Sequence, residues 1–259
     1  MKVILKPIPD SNEYSIESGL HDGLRHFDHH GKFTMNLPVC LQDIPVIPND
    51  SCIYITHIDA DTLKGVSKMM GKNFASDINW QIVGIIDSNG PEYIDENIRD
   101  RAFMIGIGHI ARKLEIPREG DVTDKILNML DTPSEEYIRL GLEEMKKSKL
   151  ETIRSIVKLE NDIALVDLPK NIGLDALALY KIGASIIVTY RNSFKTISIM
   201  GSKVIKPSPI PDLRREWSGI KFEGHPLACG SPRDKEYELS DAYRVYDEIK
   251  KEISIKGGN

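Results

Sequence analysis

The chain is poor in the residues that staple, export or anchor a protein. Its three cysteines, Cys40, Cys52 and Cys229, are scattered over 259 residues with no CxxC pair, which excludes a disulfide framework and a thiolate zinc knuckle. Tryptophan occurs twice, at Trp80 and Trp217, and aromatics make up 7%, too few for the stacked groove that tracks a long single strand. Positive charge is also short: Lys+Arg 34 against Asp+Glu 39 gives a net charge of −5. Counterion release along a duplex therefore cannot supply affinity, and long duplex nucleic acid is not an expected partner. The first apolar run breaks at Lys6-Pro7, too short for an export signal or a membrane span. No membrane partner is expected, and a reducing cytoplasm is the expected location. There is no internal repeat or low-complexity tract, and 41% hydrophobic content over this length suits one large core or two of ordinary size.

The pattern along the chain predicts an α/β protein. Residues 51–56 form a β-branched and aromatic run that reads as a buried strand, with His57 at its carboxyl end. A helix is expected from Asp61, with Leu63, Val66, Met69 and Met70 at helical spacing and Gly71 as its stop. Residues 81–86 read as a second buried strand ending at Asp87, which would complete a βαβ unit. Helices are expected over 92–114 and 121–130. A polar, helix-favouring stretch from Pro133 to Leu159 suits a connector, with Thr132 as N-cap and Glu135 and Glu136 in the first turn. Beyond it, strands are expected at 163–166, 184–190 and 194–200, with helices at 173–180 and 240–253. The organisation implied is an N-terminal parallel-sheet βαβ domain (1–130), a helical connector (131–160) and a smaller C-terminal α/β domain with a mixed sheet (161–259).

Two segments concentrate metal-ligand chemistry. Phe27-Asp28-His29-His30-Gly31 and Thr56-His57-Ile58-Asp59-Ala60-Asp61 hold three of the seven histidines and three carboxylates. Ligands of parallel sheets bind outside the carboxyl ends of the strands, where His57, Asp59, Asp61 and Asp87 fall by this reading. Three carboxylates so close repel one another unless a cation compensates them. Mixed oxygen and imidazole donors suit Mn²⁺, with Mg²⁺, Co²⁺ or Zn²⁺ as substitutes. Two ions about 3.5–4 Å apart, bridged by one carboxylate, would activate a water and stabilise a leaving oxygen. The plainer alternatives are that Asp61-Thr62 is a helix N-cap, that His57 is an ordinary strand-end histidine, and that Asp28-His29-His30 is a surface polar cluster.

Phe27-Asp28-His29-His30-Gly31 resembles the signature of the DHH phosphoesterase superfamily, which includes exonucleases, oligoribonucleases, bisphosphonucleotide phosphatases and inorganic pyrophosphatases. Residues 55–61 resemble that family's first motif and Ile85-Ile86-Asp87 its second. Phe222-Glu223-Gly224-His225-Pro226-Leu227-Ala228-Cys229-Gly230 resembles the glycine-histidine motif of the DHH-associated C-terminal domain. The resemblance implies that His57, Asp59, Asp61 and Asp87 are metal ligands, with Asp87 bridging. It further implies that His29 binds the second metal, that His30 contacts the scissile phosphate, and that Asp28 orients an imidazole. Gly224, His225 and Gly230 would hold the substrate's phosphate or nucleotide, and Arg233 would add a bidentate contact or be a solvated turn residue. Here the DHH segment precedes the first two motifs, whereas the family places it after them. The family's last metal-binding Asp has Asp22, Asp43 and Asp100 as candidates, and His109 is either a further ligand or a structural helix residue.

The function expected is a Mn²⁺-dependent phosphoesterase of small nucleotides or short oligonucleotides; a homodimer is compatible with it. The competing expectation is a nucleotide- or RNA-binding protein of the same fold whose metal site has degenerated.

Overall fold

A computed structural model describes residues 1–6, 13–29, 36–90, 92, 97–117 and 119–256. His30 and Gly31 of the DHH segment lie outside the described residues. Contacts divide the chain into two units, Met1–Glu144 and Met145–Asn259.

The first unit is built on a five-stranded sheet. Its strands are β1 (Lys2–Leu5), β2 (Tyr14–Ile16), β3 (His26–Phe27), β4 (Cys52–Ile55) and β5 (Gly120–Asp121), in spatial order β3-β2-β4-β1-β5. The first four run parallel, and β5 closes the edge antiparallel to β1. Among the described residues the helices are α1 (Ala60–Met69), α2 (Trp80–Asn89), α3 (Ile98–Lys113) and α4 (Thr123–Asp131), and α5 (Ser134–Arg154) begins in this unit and ends in the second. Val3, Ile16, Phe27, Ile53 and Ile55 from the strands meet Leu63, Val66, Phe103, Ile107 and Ile126 from the helices in one core. Helices α3 and α5 cross at glycines. A Cβ on Gly106 would sit 1.9 Å from the Tyr137 carbonyl oxygen, and one on Gly141 would sit 1.7 Å from that of Ala102.

The second unit carries a six-stranded sheet. Its elements are β6 (Ile156–Glu160), β7 (Ile163–Leu168), α6 (Ala176–Lys181), β8 (Ile186–Arg191), β9 (Thr196–Gly201), β10 (Glu216–Trp217), β11 (Ile220–Lys221), β12 (Glu223–His225), β13 (Ala228–Gly230) and α7 (Leu239–Lys256). The large sheet runs β12-β13-β9-β8-β7-β6, with only β7 and β8 parallel, and β10 and β11 form a separate ribbon. Alternation along the strands feeds two cores, because successive side chains face opposite sides of a sheet. Ile163, Leu165, Ile186 and Val188 pack with Ala242, Val245, Tyr246 and Ile249 of α7. Ala164, Val166 and Ile187 face Ala176, Leu179 and Tyr180 of α6.

The fold class is the expected one, a parallel-rich sheet followed by a mixed sheet, but two elements differ. Residues 81–86 are not a strand. They lie inside α2, where the Asn79 side chain accepts the Gln81 N–H as an N-cap and Gly90, at φ 93°, ends the helix. Periodicity alone cannot separate a short apolar run in a strand from one in a helix, and here the caps decide. Asp87 therefore projects from a helix, and the expected βαβ unit lacks its second strand. The stretch 133–159 also changes state, since the helix stops at Arg154 and Ile156–Glu160 becomes the edge strand of the second sheet. Among the described residues no helix is long and apolar enough to cross a membrane.

Candidate metal centre

The register of three parallel strands makes the site. Ile16 pairs with both Phe27 and Ile55, so the residues that leave β2, β3 and β4 emerge side by side at one edge. Those residues are Glu17, Asp28-His29 and Thr56-His57. Asp59 follows and caps α1, its Oδ1 accepting the Thr62 N–H at 2.8 Å, and Asp61 lies in the first turn of that helix.

Glu17 is the centre of the arrangement. It is buried, 3% exposed, and its φ of 52° puts a non-glycine residue in the left-handed region, which costs on the order of 1–3 kcal/mol. Its backbone is held on both sides, because its N–H donates to the Phe27 carbonyl at 2.8 Å and its carbonyl accepts the Thr56 hydroxyl at 2.5 Å. The turn sends the carboxylate between two histidines. Oε1 lies 2.9 Å from His29 Nδ1, and Oε2 lies 2.9 Å from His57 Nε2.

Two donor groups result, and they share that carboxylate. Glu17, His29 and Asp61 form a buried group, and Glu17, His57 and Asp59 a more open one; within each, one donor atom per residue lies within 4.8 Å of the others. Asp61 Oδ2 is 3.5 Å from His29 Nδ1, and Asp59 Oδ2 is 2.9 Å from His57 Nε2. Each imidazole is also fixed from its far nitrogen. His29 Nε2 meets Asp87 Oδ2 at 2.7 Å. His57 Nδ1 is 3.0 Å from the Thr56 hydroxyl, whose own proton goes to Glu17. Each far nitrogen therefore carries a proton, and each near nitrogen can offer a lone pair to a cation.

The electrostatics are those of a site short of positive charge. Burial pushes the Asp61 carboxyl up to about 7, and the charges of Glu17 and Asp87 act in the same direction. Burial pulls against the charged form of His29, yet the hydrogen bonds to Asp87 and Glu17 outweigh it and raise the imidazole to about 10. His57 is likewise raised to about 10, against burial, by Asp59 and Glu17. Protons on these rings now stand where a divalent cation would stand. The donor set, oxygen plus imidazole in two groups around one shared carboxylate, fits a pair of such ions.

The remaining sequence candidates fall away from these two groups. Asp28 is buried, and its Oδ2 accepts the Gly19 N–H at 2.6 Å while its N–H donates to His21 Nδ1 at 3.3 Å. It braces the loop that joins β2 to β3. Asp22 gathers the amides of Leu24, Arg25 and His26, which hold its carboxyl at about 2 against the opposing effect of burial. Asp100 accepts the Asn79 N–H, and Asp43 is exposed. His109 Nδ1 lies 3.6 Å from Glu144. None of these joins either donor group among the described residues. Gly224, His225 and Gly230 lie on the β12–β13 hairpin of the second unit, and Arg233 is exposed on the turn beyond it.

Sequence reasoning passed over Glu17. The signal available was faint: a carboxylate directly after the alternation Tyr14-Ser15-Ile16 and before Ser18-Gly19, with no motif around it.

No family model matches the chain, and no curated protein does. Among solved structures, a pGpG-specific phosphodiesterase from Vibrio cholerae aligns with a TM-score of 0.42 and 13% identity over 89% of each chain. An exopolyphosphatase-related protein from Bacteroides fragilis aligns with a TM-score of 0.36 and 16% identity, over 89% of this chain and 64% of that one.

Proposed function

We propose that the protein is a phosphoesterase of the DHH type that uses two divalent cations, Mn²⁺ foremost, to hydrolyse phosphate esters of small nucleotides or short oligonucleotides. The observation that carries this reading is one buried carboxylate, Glu17, shared by two histidine-carboxylate groups at the ends of parallel strands. In this reading Glu17, His29 and Asp61 would hold one ion, and Glu17, His57 and Asp59 the other. Bound there, the ions would supply Lewis-acid activation of water and charge stabilisation for the phosphoryl group.

The chain's own residues do the positioning. Asp87 holds a proton on Nε2 of His29, and Thr56 accepts one from Nδ1 of His57, so neither ring can turn away from Glu17. Asp61 is anchored by the backbone N–H groups of Val39 and Cys40 at 2.9 and 2.6 Å, which fixes its direction without adding a cation. The His57 and Asp59 side chains are 41% and 36% exposed, against 5% for His29. Substrate therefore approaches from the His57–Asp59 side, while the His29–Asp61 side stays dry. By the family pattern, His30, which lies outside the described residues, would contact the scissile phosphate.

The test is turnover. Purified protein with Mn²⁺ should release phosphate or mononucleotide from at least one member of a panel of dinucleotides, nucleoside bisphosphates and pyrophosphate. No turnover on any of them, with two equivalents of metal shown to be bound, would reject the reading.

A further inference from the structure

Asp61 takes its direction from a piece of backbone that α1 itself holds in place. The short 3-10 helix Val39–Leu41 packs on α1, and three residues of α1 meet it or the residue that follows it. The Val39 and Cys40 N–H groups donate to Asp61 Oδ2 and Oδ1 at 2.9 and 2.6 Å. The Val39 side chain nests on Gly65, where an added Cβ would sit 2.6 Å from Val39 Cγ1. Lys68 Nζ donates to the Cys40 and Gln42 carbonyls at 2.8 and 2.6 Å. Asp61, Gly65 and Lys68 follow one another at helical spacing, which puts them on one face of α1.

The charges on that face suit the turn they hold. A carboxylate meets the N–H groups of its start and an ammonium the carbonyls of its end, the groups that a helix end leaves without internal partners. Lys68 is half-buried, and two of the three donors of its ammonium are spent on these carbonyls. Gln42 Nε2 also donates to the Leu37 carbonyl at 2.6 Å, but that bond ties the segment to itself and not to α1. Lys64, one turn earlier on the same helix, is anchored elsewhere. It donates to the Phe74 carbonyl at 2.9 Å and stands 4.7 Å from the centre of the Trp80 ring.

We infer that Lys68 is a positioning residue for the metal centre. By holding the Cys40 and Gln42 carbonyls against α1, it keeps the Val39 and Cys40 amides on Asp61 and so aims that carboxylate at the cation beside His29. Glu17, His57 and Asp59 are directed by bonds to Phe27, Thr56 and Thr62 instead. The effect of Lys68 therefore belongs to the His29–Asp61 ion and not to the His57–Asp59 ion. This inference rests on the two-cation reading.

The experiment is a calorimetric titration of Mn²⁺ into the metal-free full chain. The wild type should take up two equivalents. Lys68→Met should bind one of them about tenfold more weakly, within the 10–100-fold usual for losing an outer partner of a metal ligand, and the other as the wild type does. Lys68→Gln, a milder change, should show the same selective fall. Lys64→Met removes another half-buried ammonium of α1 and should leave both affinities unchanged, even where urea unfolding shows that it costs as much stability as Lys68→Met. In an Asp61→Asn background, Lys68→Met should lower the affinity no further, because the two residues act as one unit. Wild-type affinity for both equivalents in the two Lys68 variants, an equal fall in Lys64→Met, or a further fall in the Asp61→Asn background would overturn the inference. A wild type that takes up no Mn²⁺ would overturn the two-cation reading and the inference with it. Failure of the phosphoesterase reading alone shows separately, as a wild type that binds two equivalents and turns over no ester.

Discussion

Glu17 and Asp87 are both carboxylates beside His29, yet their tasks are separable. Glu17 reaches both imidazoles, whereas Asp87 meets the far nitrogen of His29. Asp87→Asn should lower Mn²⁺ affinity about 10–100-fold, the usual effect of losing a carboxylate that orients a ligating histidine, and activity should return at high Mn²⁺. Glu17→Gln removes the shared charge from both groups, so activity should stay lost at any Mn²⁺ concentration. Metal-dependence curves of the two variants check this, and rescue of Glu17→Gln by added metal would contradict the assignment of Glu17 to both groups. At this scale the sequence was informative where residue types cluster within a few positions, as in His57, Asp59 and Asp61. It was silent where a single carboxylate is brought in by strand register alone. Ile16 pairing with Ile55 and Phe27 puts Glu17 at the centre, and nothing local to Glu17 records that pairing.

The elements that carry the site were legible to the extent that their periodicity was unambiguous. Strand β4, helix α1 and the β8–β9 pair follow directly from alternation and 3.6-residue spacing. Helix α2 does not, because Gln81-Ile82-Val83-Gly84-Ile85-Ile86 is apolar enough for either state and its Asn79 and Gly90 caps lie outside the run. The crossing of α3 and α5 was also invisible, since nothing local to Gly106 or Gly141 records that the two backbones meet there. An Ala at Gly141 would put its Cβ onto the Ala102 carbonyl and force the helices apart. Gly141→Ala should therefore destabilise the protein by about 1–3 kcal/mol, although alanine is the better helix former. Urea unfolding measures this, and a stabilised variant would show that the helices do not cross so closely.

For the whole molecule, the proposed metal centre would tie stability to metal and to pH in opposite senses. Without metal, His29 and His57 are raised to about 10, above an unfolded value of about 6.5. Their contribution is complete below about 6.5 and is lost as pH rises through 10. Asp61, raised to about 7, adds to the same trend by costing stability as it ionises. The metal-free protein should therefore melt at a lower temperature at pH 9 than at pH 6. Mn²⁺ must displace the imidazole protons, so its affinity, and the increase in melting temperature it gives, should grow from pH 6 to pH 9. A metal-free protein whose melting temperature rises over that interval would contradict the assignment of charge at Glu17, Asp61 and Asp87. The α/β class was readable from alternation and periodicity, whereas this coupling arises only from the convergence of distant segments. Diffraction from a crystal grown with Mn²⁺ and measured near the manganese absorption edge tests that convergence most directly. Two anomalous peaks are expected, one on each side of the Glu17 carboxylate, the first against His29 and Asp61 and the second against His57 and Asp59; the absence of both, or a single peak bound away from Glu17, would contradict it.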